Sequence, residues 1–380
     1  MRLKFVFLLL ICLLKPFYVC ADLQTTISSE ANVFVLGDIS TQTIIAKQNE
    51  SKRINPGSLT RLMTIYVIFD AIKTKKLYLR NTILISKTAI TRPGPRMFLT
   101  GGEKIRISDL VEGLVIYGAT DATLALIEIL SGNESNFVSR MNKMTKQIGL
   151  QDSRFTSAFA STEKGHFSTA MDLYILSWSI VEDFPELYEH FQRKSKNWNG
   201  IEQYNSNNML NRDTHTDGLI VDQTAGSGFL SSISAVREER RVLLIAGDTK
   251  NAATLIVESQ KLVNRAFENY EAQFFFDARE TLSVISVVRG VKDSIPAGTS
   301  SSVTATIKRQ EPDNVRIEIE SIQPLIAPVE KGDTVGQLTI INNQKLLKTY
   351  DLIALEGTAK AGLFSRGWKG LNRFVKDLFK

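Results

Sequence analysis

Short apolar or β-branched runs at residues 32–38 and 42–46, separated by turn-forming residues, predict an opening β-hairpin. Past Pro56-Gly57 the apolar spacing changes to three and four. Leu59, Leu62, Met63, Tyr66, Val67 and Ala71 then share one helical face, with Ser58 at its start. A serine in that place can cap the first turn for about 1 kcal/mol. Helical periodicity returns over residues 108–149, punctuated by Gly118 and by Ser131-Gly132-Asn133, and again over 168–181. Residues 218–222, 228–236 and 241–247 read as consecutive strands, the last two joined at Arg237-Glu238-Glu239-Arg240. The mixture predicts a sheet with helices packed on it.

Near residue 275 the character changes. Residues 282–288, 303–307, 315–319 and 337–341 are β-rich stretches with Gly, Pro and Asp between them and no helical period, which predicts a small all-β domain over 276–357. Phe274-Phe275-Phe276, just before it, reads as a core or interdomain segment. The last segment, 358–380, differs from both. Phe364, Trp368, Leu371, Val375, Leu378 and Phe379 fall on one helical face and the basic residues on the other, the pattern of a helix lying in a membrane interface. Its charges exclude spanning, and the alternative is a helix docked on its own domain.

The first 21 residues read as a signal peptide: a basic start at Arg2 and Lys4, a short apolar run from Phe5 to Leu14, Pro16, and Val19-Cys20-Ala21 before the cut. A spanning anchor would need about 20 apolar residues, twice this run. Cys12 and Cys20 are the only cysteines, so the mature domains would hold no disulfide, thiolate nucleophile or cysteine metal ligand. The formal charge of +6 is concentrated at the two ends, in Arg2, Lys4 and Lys15 and in Arg366, Lys369, Arg373, Lys376 and Lys380. The body between them is close to neutral, and nothing points to nucleic acid. His166, His190 and His215 show no metal-ligand spacing, and no glycine-rich phosphate loop precedes a helix, so neither metal nor cofactor is expected.

Ser58-Leu59-Thr60-Arg61 partly matches the S-x-x-K frame, in which a lysine one turn after a serine takes its proton. Its surroundings carry more. Residues 38–64, Met97-Phe98-Leu99, 165–172, 199–207, 224–229 and 327–336 follow in the order of a known family. The whole mature chain resembles the low-molecular-mass penicillin-binding D-alanyl-D-alanine carboxypeptidases. The resemblance implies an α/β (α+β) penicilloyl-serine transferase domain over 22–275, helices around an antiparallel sheet, followed by the all-β domain and the amphipathic surface helix. It also implies residence on the outer, periplasmic face of a bacterial cytoplasmic membrane.

The family's reaction implies three clusters: serine and lysine of S-x-x-K, serine and asparagine of S-x-N, and K-T-G on a sheet-edge strand that holds the substrate carboxylate. Registration on this sequence leaves Ser58 at the nucleophile position. Arg61 stands at the base position, Gly118 and Thr120 stand for S-x-N, and Ile220, Val221 and Asp222 stand for K-T-G. A guanidinium is a poor general base. Thr120 could still donate one hydrogen bond, and the family's oxyanion hole, which uses the backbone N–H of Ser58, could persist. Two functions remain in view: an impaired member binding peptidoglycan stem peptides or an envelope protein, and an active carboxypeptidase trimming those peptides through an acyl-enzyme on Ser58.

Overall fold

A computed structural model describes residues 21–22, 27–222, 228–310 and 315–362. Residues 1–20 of the expected signal peptide, residues 224–227 of one family-like stretch, and the tail residues Phe364 to Phe379 lie outside the described residues.

The expected hairpin is present as β1 (Val33–Asp38) and β2 (Thr43–Gln48), paired antiparallel. The three later strands are β3 (Thr216–Asp222), β4 (Leu230–Arg237) and β5 (Arg240–Gly247). All pair antiparallel in the order β2-β1-β5-β4-β3, which makes β3 an edge strand. Glu238 and Glu239, both at positive φ, close the β4–β5 turn, as a two-residue hairpin turn matched to strand twist requires.

Both faces of this sheet are covered, and the strand alternation shows it. Val33, Val35, Leu243 and Ile245 enter one core, whereas Phe34, Leu36, Val242 and Leu244 enter another. The first core lies under α1 (Thr60–Lys73), α2 (Ile107–Tyr117), α3 (Thr120–Ser131), α4 (Glu134–Gln147) and α5 (Ala170–Asp183). Helix α5 opens at Thr169, whose side chain accepts the N–H of Asp172 at 3.0 Å. The second core lies under α6 (Ala252–Asn269), a helix the sequence reading did not single out. Its signals were present: Asn251 caps Thr254 N at 2.8 Å, and Leu255, Leu262, Val263 and Ala266 form the buried face.

Strand Tyr270–Phe276 pairs antiparallel with Val303–Lys308, so the β structure of the second domain begins at Tyr270. Phe275 and Phe276 pack on the second core while Phe274 is exposed. A six-stranded sheet completes the domain, with Lys345–Ala354 and Ser294–Thr299 at its centre. Residues 358–361 stay on it, through Val329 N–H···O=C Thr358 at 3.0 Å and Ala361 N–H···O=C Arg289 at 2.9 Å.

The second core is shared by both domains, with Val303, Ala305, Ile307 and Leu338 beside Phe34 and Val242. A buried polar network crosses the same junction. Asp38 Oδ2 accepts from Arg240 Nε at 2.5 Å and from Thr306 Oγ at 2.9 Å, and Arg240 Nη1 reaches the carbonyls of Ala266 and Tyr270.

Candidate active site

Asn55 shapes the entry to α1: its Oδ1 accepts the N–H of Gly57 at 2.9 Å, and Gly57 takes a positive φ. Residues Gly57–Leu59 form a single 3-10 turn before α1. The cap position of α1 is Leu59, and no side chain caps either element, so Ser58 is not the helix N-cap expected of it. Thr60 ties the turn to α1, its Oγ donating to Gly57 O at 2.7 Å. Among the described residues, the Ser58 hydroxyl has no hydrogen-bond partner.

A cleft of about 330 Å³ opens over this turn, and it gathers residues that lie far apart in the chain. Ser58, Arg61, Gly118, Thr120 and Val221 line it, together with Tyr117, Ser206, Arg92 and Phe159. The last four of these were not singled out from sequence. Ser206 lay inside a family-like stretch, and Tyr117 adjoined Gly118, but for Arg92 and Phe159 no local signal existed. Arg92 is placed by tertiary contacts, 3.9 Å over the Phe159 ring and 2.8 Å from Glu134.

Arg61 runs across the cleft floor. Its Nη2 donates to Ser206 Oγ at 2.6 Å, and Nη1 lies against the bare Cα of Gly118, where a Cβ would come 3.2 Å from Arg61 Cζ and closer still to Nη1. Gly118 also ends α2 at φ +72°, a left-handed position that favours glycine. Burial pushes the guanidinium down to about 10, against the opposing pull of the Asp222 carboxylate. At neutral pH the guanidinium stays protonated and cannot serve as the general base.

Thr120 starts α3, and both its N–H (2.7 Å) and its hydroxyl (3.0 Å) go to Pro95 O. The donor left open for it by the sequence is therefore already used. Asp121 next to it holds Met97 N at 2.9 Å and Leu99 N at 3.1 Å, pinning the loop between. Tyr117, which lines the cleft, keeps its hydroxyl protonated: burial pushes its pKa up, as do the nearby Asp121 and Glu112 carboxylates.

On β3, Ile220 is fully buried in the first core and does not line the cleft, while Val221 does. Asp222 is buried as well, and its Oδ2 accepts the backbone N–H of Ser58 at 2.7 Å. Behind the turn sits His166, buried, with Nε2 2.8 Å from Thr60 Oγ and Nδ1 3.1 Å from Thr156 N. Because Thr156 N–H can only donate, Nδ1 accepts and the ring is neutral with its proton on Nε2. Burial lowers its pKa, opposed by Glu163. It supports the turn through Thr60.

The profile of the D-alanyl-D-alanine carboxypeptidase family matches residues 20–251, and that of the penicillin-binding protein 5 C-terminal domain matches 270–360. The chain belongs to the D-alanyl-D-alanine carboxypeptidase family. It is 30% identical over 345 residues to the D-alanyl-D-alanine carboxypeptidase DacD of Salmonella typhimurium, covering 89% of this chain and 88% of the relative. Identity to DacA of Haemophilus influenzae is also 30%, over 355 residues, covering 92% and 90%. The crystal structure of penicillin-binding protein 5 from Haemophilus influenzae superposes with a TM-score of 0.84 at 29% identity, over 88% of this chain and 99% of that one. The penicilloyl-serine transferase fold and the low-molecular-mass penicillin-binding family are thereby shown.

Two residues of the cleft are coupled in space. Arg61 fills the room that a serine side chain at 118 would need, so the residues at 61 and 118 form one packing solution.

Proposed function

We propose that this D-alanyl-D-alanine carboxypeptidase family member is catalytically impaired and acts by holding peptidoglycan stem peptides in its cleft. The observation that carries this reading is Arg61: a guanidinium committed to Ser206, with a pKa near 10, stands where the reaction needs a deprotonated amine beside Ser58. The apolar Val221 and the acidic Asp222, at the end of β3, further disfavour a substrate carboxylate there.

The export-like first 21 residues and the basic, amphipathic last segment support residence at the outer face of a bacterial cytoplasmic membrane, with the globular part toward the wall. A protein partner in the envelope is the other occupant to consider.

The test is direct. Purified protein is expected to release no more D-alanine from a D-alanyl-D-alanine peptide than Ser58→Ala does, while muramyl peptides raise its melting temperature. Hydrolysis abolished by Ser58→Ala would sink the reading. A saturating peptide with no thermal shift would transfer it to a protein partner. The rival, an active carboxypeptidase, draws on the retained Ser58 in the cleft. A stable penicillin adduct on Ser58, seen by mass spectrometry, would favour that rival.

A further inference from the structure

The loss of a base explains why Ser58 would react slowly. It does not explain why a carboxylate sits against the serine's own backbone. The first N–H groups of a helical segment have no intrahelical partner and point outward, where they receive ligands. Ser58 N–H is such a donor, in the 3-10 turn that leads into α1, at the cleft. In the structure its acceptor is Asp222 Oδ2 at 2.7 Å.

Asp222 is delivered there rigidly. It is the last residue of β3, in register opposite Leu230 of β4, and it is 2% exposed. Arg61 lies near enough for the two charges to act on each other. A charged acceptor held by a strand, buried, and balanced by a buried cation outcompetes a neutral carbonyl oxygen arriving from solvent.

We infer that Asp222 is a built-in occupant of the acceptor position at Ser58 N–H, closing the place where an acyl group's oxygen would otherwise be held. This deepens the reading of an impaired family member and rests on Ser58 being its nucleophile position. It makes a second block, separate from the missing base. The chain's own carboxylate takes the one N–H that Ser58 offers. A stem peptide held in the cleft would therefore lie along Thr120, Tyr117 and Phe159 without placing a carbonyl at Ser58.

The experiment must not depend on a base. Phenylboronic acid adds reversibly to a serine hydroxyl and places a boron-bound oxygen on adjacent N–H donors, and its equilibrium affinity is indifferent to how fast the proton leaves. Binding to purified full chain, Asp222→Gly and Asp222→Asn is compared by isothermal titration, with Ser58→Ala/Asp222→Gly as control. Asp222→Gly is expected to bind at least about tenfold more tightly than the unaltered protein and to lose the gain in the control. Asp222→Asn keeps the shape and a neutral acceptor, so a smaller gain, on the order of threefold, is expected. It also secures the test if the glycine variant folds poorly. Equal affinities across the folded proteins, or binding by none of them, overturn the inference. Either result leaves the binding function standing. Hydrolysis of a D-alanyl-D-alanine peptide by the unaltered protein would instead remove that function without deciding what Asp222 does.

Discussion

Arg61 and Gly118 exclude each other's alternatives: with the guanidinium in place, a Cβ on Gly118 would fall inside the van der Waals envelope of Nη1 and 3.2 Å from Cζ. The two residues are a matched pair, and their effects on stability should be non-additive. Gly118→Ser alone is expected to destabilise the protein by about 1–3 kcal/mol, from overpacking and from the left-handed backbone. Arg61→Lys removes the bulk, so the double variant should lose less than the two singles together, with a coupling of at least about 0.5 kcal/mol. Urea denaturation of the four proteins reads this out, and strict additivity would show the contact to be incidental.

Arg61→Lys by itself is not expected to restore a penicillin adduct on Ser58. Asp222 still holds Ser58 N–H, and the hydroxyl of Thr120 is still committed to Pro95 O. Intact-mass measurement after exposure to penicillin checks this. An adduct on the single variant would mean that the base was the sole missing part.

Arg240 and Asp38 are buried partners across the domain junction, with Thr306 of the second domain as a third member. Arg240→Ala leaves the Asp38 carboxylate uncompensated, and a loss of about 3–5 kcal/mol is expected. Because the network joins both domains, calorimetry should also separate one unfolding transition into two. A single, slightly shifted transition would show the shared apolar core to be the whole junction.

His166 is buried neutral, with its pKa lowered from 6.5 chiefly by desolvation, and His190 is shifted the same way. Above pH 6.5 neither state takes up the proton. Below it, the unfolded chain protonates while the folded one does not, so stability falls with pH until the depressed folded value is reached and then levels. His166→Gln should remove up to about 1.4 kcal/mol per pH unit of that slope, measured by denaturation between about pH 5 and 7. An unchanged slope would mean that carboxylates and His190 carry it.

Removing residues 363–380 should leave the melting temperature unchanged, since the β domain is paired through Ala361. Binding to vesicles containing anionic lipid should fall by at least about tenfold, as the basic and aromatic residues are lost. Unchanged flotation with vesicles would count against a surface-binding tail.

Much of the fold was legible before any coordinates. The alternation in residues 32–46 and 218–247 reads directly as strands because each side chain must choose one face of a sheet. Helix α6 escaped although its cap and stripe were present, because it follows a run of strands and precedes another. The cap role assigned to Ser58 failed for a different reason: a helical pattern locates a helix only to within a residue or two, and the 3-10 turn takes up that margin.

By itself the sequence determined the architecture, the family and which residue types stand at 58, 61, 118, 120 and 220–222. Those are properties of residue type and order, and order suffices to show them. Only the tertiary structure decided what these side chains do to one another: Arg61 takes the room of a side chain at 118, Thr120 turns to Pro95, and Asp222 closes on the N–H of Ser58. Positions 58, 61, 118 and 222 meet because a turn, two helices and an edge strand end at the same cleft. Distances between such ends are set by packing, which no local pattern in the chain records.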